Sequence, residues 1–327
     1  MKVIESVPVK KWLEILEGKT EYSFFQTPDF SSIICKHIKN YEEAHRLFIF
    51  DDGTEVLLPM VKIQHFSVKL GKYSKDIAYN LVSLPLGAPG GLISMNTISS
   101  GKLKEISDYL ISINTMGVMI INHPKSNIIL GEKFKIEELK TLAIPLDYAY
   151  EDMWVNRFDS KLRAEIKRAK KEDVVVKETK EEGILEKYLK LTEQLMSCWA
   201  KRIRLPINMI RDLICHQDSR LWIALVNDEL AAGVLVLCAP NEMYYFQSAM
   251  DKSYSRFYPA KYIFEFIIKC GIKEGYKMLN LGSSGGIKSV EHFKMSFNPD
   301  TLTFYTQLYT TKFWNKVRKF GKYIRGS

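Results

Sequence analysis

The sequence predicts a mixed α/β (α+β) protein of two domains, each with a mixed, mostly antiparallel sheet flanked by helices. The first observation is length, because 327 residues exceed a comfortable single small core and suit two domains of ordinary size. The second is that strand-like apolar runs and amphipathic helical patterns follow one another in the same order in both halves. The composition, 46% hydrophobic and 26% charged, is typical of a globular protein.

The first domain is predicted to cover residues 1–147. Trp12, Leu13, Ile15 and Leu16 indicate an opening helix, and a second helix is expected at Phe30–His37. Strands are expected at Leu47–Phe50, Val56–Phe66 and Ile77–Leu84, with Asp51-Asp52-Gly53 as a hairpin turn between the first two.

A glycine-rich loop, Leu86–Leu92, follows the third of these strands and precedes a helical pattern at Ile98–Ile113 and a buried strand at Val118–Asn122. The loop has two readings, a structural turn or a phosphate cradle, although it lacks basic residues and a Walker lysine. The same plan of strands, loop, helix and strand recurs in the second half, which suggests an internal duplication.

The second domain is predicted to cover residues 148–327 and to include a basic C-terminal tail. A basic helix is expected at Arg157–Lys171, which is either a solvated face or a surface that steers an anionic substrate. Arg202 and Arg204 are further candidate anion ligands. The remaining expected elements are a strand at Val174–Val176, helices at Glu182–Ala200 and Pro206–Cys215, and a hairpin of Leu221–Val226 and Ala231–Leu237.

The stretch Glu242–Pro299 has the richest pattern. Strong strand formers lead through a basic aromatic loop to Pro259, whose fixed φ suits a first helical position, and Met278–Leu281 is the next strand. A helix N-terminus favours an anion, and Lys252, Arg256 and Lys261 surround this one. The pattern predicts a phosphate or pyrophosphate site there.

Lys294 falls within the apolar stripe of a second short helix that begins near Ser289. Two readings are open. The lysine could lift its ammonium to water or pair with Glu291 or Asp300, or it could hold a phosphate or carboxylate of a substrate lying against the turn Gly282–Gly286.

These features together resemble the GNAT superfamily of acetyltransferases, and most closely the branch that contains the Fem peptidoglycan aminoacyltransferases. The residues that carry the resemblance are the Pro-Ala at 259–260, the Gly-Tyr at 275–276, the LGSSGG segment at 281–286 and the Phe-Lys-x-x-Phe ending at 293–297. Upstream, the basic segment Lys161–Lys170 and the segment Phe25–Phe30 resemble the openings of the family's two domains. The resemblance implies two tandem acetyltransferase-like (GNAT) domains.

The resemblance also implies acyl transfer to an amine by direct attack, with a backbone amide of the strand Tyr245–Ala249 stabilising the oxyanion. Tyr258 and His292 are candidate bases by position, and each also suits a packing role. Donor or phosphate contacts are expected from Lys252, Arg256, Ala260 and Lys261, and acceptor contacts from Lys294, Ser283, Ser284, Arg202 and Arg204.

The donor is either acyl-CoA or aminoacyl-tRNA, used as a co-substrate with no tightly bound cofactor. Many Fem enzymes carry a long helical arm in the second domain. This chain has no room for such an arm between Lys171 and Leu221, which weakens the tRNA option. The pyrophosphate loop of acetyltransferases is degenerate at Ser255–Ala260, where a glycine is missing, which weakens the CoA option.

Composition limits the other partners. The five cysteines are scattered without metal-ligand spacing, so no metal is expected. No apolar run approaches a membrane span and no signal peptide is recognised, so a cytoplasmic location is expected. The net charge is +9, and the tail after Asp300 interleaves basic residues with Phe313, Trp314, Val317, Phe320 and Ile324. This tail suits peripheral contact with the inner face of an anionic membrane, docking on the protein body, or nucleic acid including tRNA.

The expected function is N-acyl transfer that forms an amide on an amine of a cell-envelope precursor or amino sugar, with an anionic or lipid-linked acceptor. The alternative is a non-catalytic GNAT-like protein that binds an anionic glycan or lipid. The sequence gives no indication of the oligomeric state.

Overall fold

The structure is a computed structural model that describes residues 1–19, 21–70, 73–198, 204–284 and 286–311, with side chains described outside 66–77. The described chain forms two compact units: residues 1–139 together with the chain from Thr303, and Lys140–Leu302. Arg202 and the basic tail after residue 311, both singled out in the sequence, lie outside the described residues.

The first unit contains two sheets. Its elements in chain order are β1 (Lys2–Ile4), α1 (Val9–Glu17), α2 (Pro28–His37), β2 (Tyr41–Glu43), β3 (Arg46–Ile49), β4 (Glu55–Leu58), β5 (Val61–Leu70), β6 (Tyr73–Ser83), α3 (Ser100–Ser112) and β7 (Gly117–Ile121). Strands β1, β3 and β4 form a small antiparallel sheet, while β2, β5, β6 and β7 are successive neighbours in the second. The pair β6 and β7 is parallel.

The second unit contains one mixed sheet with helices packed on it. Its elements are β8 (Lys135–Pro145, entering from the first unit), α4 (Tyr150–Asn156), α5 (Ser160–Lys171), β9 (Val175–Glu178), α6 (Glu182–Ser197), α7 (Ile207–Cys215), β10 (Ser219–Val226), β11 (Glu229–Ala239), β12 (Glu242–Met250), α8 (Pro259–Glu274), β13 (Met278–Gly282) and α9 (Lys288–Met295). The strand order is β8-β13-β12-β11-β10-β9. Strands β12 and β13 are parallel and the other pairs are antiparallel, as the sequence predicts for a mixed, mostly antiparallel sheet.

The chain returns to the first unit through β14 (Asp300–Thr310). Residues Thr306–Thr310 pair antiparallel with β7. Gln307 is fully buried there, where its side chain accepts from the Leu130 amide at 2.8 Å and donates to Asn122 at 2.9 Å. The division predicted from the sequence is a single boundary at 147 with the C-terminus in the second domain. The compact units divide after Leu139, and the chain from Thr303, which pairs with β7 through β14, is grouped with the first unit.

Two expected elements are interrupted. The expected strand Val56–Phe66 is divided into β4 and β5 at Pro59, because proline cannot donate to a strand ladder. The expected helix Arg157–Lys171 begins only at Ser160, after Asp159 caps its N-terminus by accepting from the Leu162 amide at 2.6 Å. The residues before it form the separate helix α4.

The order hairpin, helix and parallel strand occurs twice, as β5-β6-α3-β7 and as β11-β12-α8-β13. In the first unit the glycine-rich loop is buried against the end of β7, where the Gly90 amide donates to the Ile121 carbonyl at 3.0 Å. Gly91 has φ of +85°, and a side chain there would meet the backbone of Asn122. The loop therefore serves as a structural turn, which supports the first of its two readings.

The core beneath the second unit's parallel strands is aromatic. Phe264 of α8 lies 5.2 Å from the ring of Phe293 and 5.3 Å from that of Phe297, and Phe158 lies 5.9 Å from Phe297. Both Phe264 and Phe297 are buried. These rings fix α9 against α8, and so place the segment between β13 and α9.

Candidate active site

The parallel strands β12 and β13 pair for only three residues. Glu242, Met243 and Tyr244 lie opposite Met278, Leu279 and Asn280, and the pairing ends there although β12 continues to Met250 and β13 to Gly282. Beyond Tyr244 and Asn280 the two strands form the sides of a wedge.

Both sides of the wedge carry irregular strand geometry. On β12 the register with β11 shifts at Phe246, since Leu235 lies opposite Gln247 while Val236 lies opposite Tyr245. On β13 the register with β8 shifts between Asn280 and Gly282. Such bulges bend a strand and redirect its amides and side chains, and they are frequent next to active sites.

A buried polar network fixes the β13 side of the wedge. The Asn280 side chain donates to Glu242 at 2.7 Å and accepts from the Thr141 hydroxyl at 2.7 Å and from the Gly282 amide at 3.0 Å. Asn280 is fully buried and Glu242 is 3% exposed, so each depends on these partners. Sequence reasoning missed this network, although an asparagine within the apolar strand MLNLG was the available signal.

Gly282 ends β13 with a backbone conformation that favours glycine. Its φ is +67°, and a Cβ there would lie 2.8 Å from the Tyr244 hydroxyl. Tyr244 is the last residue of β12 to pair with β13. Glycine therefore leaves room for the Tyr244 side chain against the end of β13.

Lys294 lies beneath this turn and is 3% exposed. Its ammonium donates to the carbonyl of Leu281, to that of Gly282 at 3.3 Å and to that of Ser283 at 2.8 Å. It also lies 5.3 Å from the ring centroid of Tyr245. Burial lowers the pKa of Lys294 to about 8. The described contacts of the ammonium are backbone carbonyls, not Glu291 or Asp300, and Asp300 pairs with Arg157 at 3.0 Å.

Lys294 therefore holds the turn after β13 in place. A lysine ammonium has three donors, and three carbonyls receive them here. An anion that bound this ammonium directly would have to displace at least one carbonyl. Ser283 is exposed and Ser284 half-buried beside this contact, so both remain available as candidate acceptor ligands.

A hydroxyl pair lines the β12 side near Lys294. The Tyr245 and Ser248 hydroxyl oxygens are 2.5 Å apart, across the bulge at Phe246. The Tyr245 ring packs edge to face on Phe264 at 5.2 Å. Neither hydroxyl was selected from the sequence, because only the register shift brings residues three apart to one face of the strand.

The N-terminus of α8 opens with an unusual residue. Tyr258 precedes Pro259 and has φ of 54° and ψ of 39°, the left-handed region that favours glycine. It stands where the acetyltransferase loop that the sequence resembles has its glycine. The Arg168 guanidinium lies over the Tyr258 ring, 5.7 Å from its centroid.

The candidate donor ligands have different surroundings. Lys252 and Arg256 are exposed on a 3₁₀ turn, Lys252–Phe257, and Ala260 is half-buried in the first turn of α8. Lys261 instead forms an ion pair with Glu165 of α5, and both of these side chains are largely buried. The structure thus keeps Lys252 and Arg256 at the surface near the helix start, while Lys261 joins α8 to α5.

The remaining candidates are more dispersed. His292 is exposed on α9, whereas Tyr258 lies at the start of α8, and no described contact joins these two candidate bases. Arg204 is exposed and donates to the Ser197 carbonyl at 3.0 Å. Of the described site residues predicted from sequence, one group lies at the start of α8 and one at the end of β13, while Arg204 and His292 belong to neither group.

Several cations of the basic helix have structural partners. Arg163 donates to three carbonyls at the end of α4 and after it, those of Trp154, Val155 and Phe158. Lys170 and Lys269 each lie 2.9 Å from the buried carboxylate of Glu265. The exposed basic residues of α5 are Lys161, Lys167, Arg168, Lys170 and Lys171, and of these Lys170 also pairs with Glu265.

Among the described residues, no group of three or more His, Cys, Asp or Glu side chains could hold a metal ion. Over the same residues, none of the helices is long and apolar enough to cross a membrane.

Residues 156–295 match the family described as Acetyltransferase (GNAT) domain. The matched segment runs from α4 to α9 and includes both sides of the wedge. No curated protein sequence matches the chain.

Solved structures similar in fold cover residues of both units. A FemX structure has 11% identity and a TM-score of 0.66, with 93% of this chain and 97% of that one covered. The C-terminal domain of a putative lysylphosphatidylglycerol synthetase from Agrobacterium fabrum has 10% identity and a TM-score of 0.63, with coverages of 95% and 94%. The structure titled L-PGS from Bacillus licheniformis has 14% identity and a TM-score of 0.58, with coverages of 94% and 93%.

Residues 156–295 are therefore similar to the GNAT acetyltransferase domain, which confirms the resemblance predicted from the sequence. At the level of the fold, the chain is similar to FemX over 93% of its length. The wedge, the turn after β13 and the start of α8 all lie within the matched segment.

Proposed function

We propose that the protein is an N-acyltransferase that binds its acyl donor in the wedge between β12 and β13. The observation that carries this proposal is the early end of the parallel pairing at Tyr244 and Asn280, with register shifts on both sides. A donor chain lying there places its carbonyl against the part of β12 after Phe246, where a backbone N–H can stabilise the oxyanion. The reaction then depends chiefly on holding two reactants together.

In this mechanism the acceptor amine attacks the donor carbonyl carbon. A C–N bond forms, the C–S bond of a thioester or the C–O bond of an aminoacyl ester breaks, and the amine proton leaves to a base or water. The turn at Ser283 and Ser284, held by Lys294, is the proposed contact for the acceptor. Tyr258 and His292 remain candidate bases only by position, and the contact of Tyr258 with Arg168 favours a binding role for Tyr258.

The donor is acyl-CoA or an aminoacyl-tRNA, and the acceptor is an amine-bearing anionic molecule of the cell envelope. The name of the lysylphosphatidylglycerol synthetase adds a membrane lipid headgroup to the peptidoglycan precursor and amino sugar expected from the sequence. The phosphates of either donor suit the exposed Lys252 and Arg256.

A thermal-stability screen tests the proposal. The purified protein is heated with acetyl-CoA, free CoA, charged tRNA or uncharged tRNA, because a ligand that binds only the native state raises the apparent melting temperature. A rise with CoA species supports an acyl-CoA donor, and a rise with charged tRNA alone supports aminoacyl transfer. No rise with any donor contradicts the proposal and favours a non-catalytic protein that binds an anionic glycan or lipid.

A further inference from the structure

Tyr258 adopts a backbone conformation that is costly for its residue type. The left-handed region costs an L-residue about 1–2 kcal/mol, while glycine adopts it without this penalty. Tyrosine at this position therefore contributes a side chain at the expense of backbone strain. Such strain is characteristic of positions where the side chain has a task, here at the entrance to α8.

The partner of that side chain is Arg168 on the neighbouring helix α5. The guanidinium carbon lies 5.7 Å from the Tyr258 ring centroid, over the ring face. The Arg168 side chain is 53% exposed. Its other described charge contact is a surface ion pair, with 3.7 Å between its Nε and Oε1 of Glu172. The two planar groups thus face one another at the protein surface, in the same unit as the wedge.

The separation of these groups is informative. Stacked bases repeat at about 3.4 Å along a nucleic-acid strand, so a base in contact with planar groups on both sides needs about 6.8 Å between them. The observed 5.7 Å joins the guanidinium carbon to the ring centroid and exceeds a single stacking distance, so the exposed arginine is not packed directly on the ring. Nucleobases stack on both aromatic rings and guanidinium planes.

We propose that Tyr258 and Arg168 clamp a purine base of the donor, the adenine that coenzyme A and the 3′ end of tRNA have in common. The proposal rests on the proposed acyltransfer function. The exposed cations Lys252 and Arg256 precede Tyr258 on the 3₁₀ turn that packs against α5, where they can meet the phosphates attached to that adenosine. Tyr258 is then a donor-binding residue, and the degenerate loop exchanges a glycine for a stacking surface.

Calorimetric binding to matched probes tests the clamp. Coenzyme A is compared with 4′-phosphopantetheine, which lacks the adenylate, and an RNA minihelix with a stable 3′-aminoacyl amide is compared with the same RNA whose terminal ribose lacks its base. The variants are Tyr258→Leu, Tyr258→Phe, Arg168→Lys and, as a control on an exposed lysine of α6, Lys187→Ala. Tyr258→Leu keeps a side chain on a residue in the left-handed region but removes the aromatic ring. Arg168→Lys keeps the positive charge but removes the planar guanidinium.

Tyr258→Leu should weaken the adenine-bearing probe that the wild type binds by about 5- to 150-fold, the range for loss of one base–aromatic stack. Tyr258→Phe and Lys187→Ala should bind as the wild type does, and Arg168→Lys should be weakened. Binding of 4′-phosphopantetheine or of the RNA without its terminal base should not change. The arm that responds, CoA or RNA, identifies the source of the adenine.

Two results would overturn the clamp while leaving the proposed function intact. One is wild-type affinity of Tyr258→Leu for the adenine-bearing probe. The other is equal weakening of probes with and without adenine, which would mean that Tyr258 only supports the start of α8. If the wild type itself binds neither coenzyme A nor the aminoacylated minihelix, both the clamp and the proposed function are wrong.

Discussion

Replacing Lys294 by methionine removes a buried ammonium while nearly preserving side-chain length. At neutral pH the substitution has two opposing effects. It leaves the carbonyls of Leu281, Gly282 and Ser283 without their lysine donor, at about 1–3 kcal/mol for a buried unsatisfied group. It also removes the free-energy cost of burying a charge. That cost is roughly 3 kcal/mol, because burial lowers the pKa of Lys294 from 10.5 to about 8.

The pH dependence separates these effects. Below pH 8 the lysine is charged in both the folded and unfolded states, so the folded protein bears the full cost of burial. Between pH 8 and 10.5 the unfolded chain binds more protons at this site than the folded protein, so the contribution of Lys294 to stability rises with pH. Methionine does not titrate, so its variant lacks this rise.

The assay is urea unfolding of the wild type and Lys294→Met at pH 7 and pH 9.5, with Lys273→Met as a control at an exposed lysine of α8. We expect the free energy of unfolding of the wild type to increase relative to Lys294→Met by about 2 kcal/mol over this interval, since most of the roughly 3 kcal/mol is recovered by pH 9.5. Lys273→Met should follow the wild type. A constant difference between the wild type and Lys294→Met would refute the assignment of a buried, destabilised charge.

Two further predictions concern the positions that support the site. Gly282→Ala should destabilise the protein by about 2–3 kcal/mol and weaken donor binding, because it combines left-handed strain with a Cβ 2.8 Å from the Tyr244 hydroxyl. At Gly275 an added Cβ meets no atom within 4 Å, so Gly275→Ala should cost only about 1–2 kcal/mol and leave donor binding unchanged. Thermal unfolding and calorimetric titration of both variants check this, and equal losses would contradict it. Burial raises the pKa of Glu265, but hydrogen bonds from Lys269, Tyr150 and Lys170 outweigh it and hold that pKa below its ordinary value. The wild type should therefore lose stability as the pH falls below 4.5, and Glu265→Gln should lose less over the same range in acid-unfolding curves; parallel curves would show that this carboxylate does not contribute.

The local signals in the sequence were sufficient for most elements of the second unit. Pro259 at the first position of α8 and Gly275 in the left-handed conformation at its end bound the helix, as their residue types predict. The apolar stripe around Lys294 likewise predicted a short helix, but neither reading of that lysine was a side chain buried against backbone carbonyls. These outcomes depend on neighbours a few residues apart, which is the range over which a sequence pattern acts.

The organisation of the first unit was harder to predict at its ends. The return of β14 to pair with β7 joins residues almost two hundred positions apart, and no local pattern records such a partner. The glycine-rich loop could be read as a cradle or a turn until its contact with the end of β7 was known. Only the paired strands decided between these readings.

By itself, the sequence determined the mixed fold, its tandem plan, the helix boundaries at Pro259 and Gly275, and the resemblance to GNAT acyltransferases. The tertiary structure decided which partners the candidate site residues contact. Lys294 binds carbonyls and Lys261 binds Glu165, whereas Tyr258 faces Arg168. The physical reason is that a charged or aromatic side chain interacts with the groups that folding brings within a few ångströms of it. Those groups lie on other helices and strands, and local sequence patterns do not specify which of these elements become neighbours.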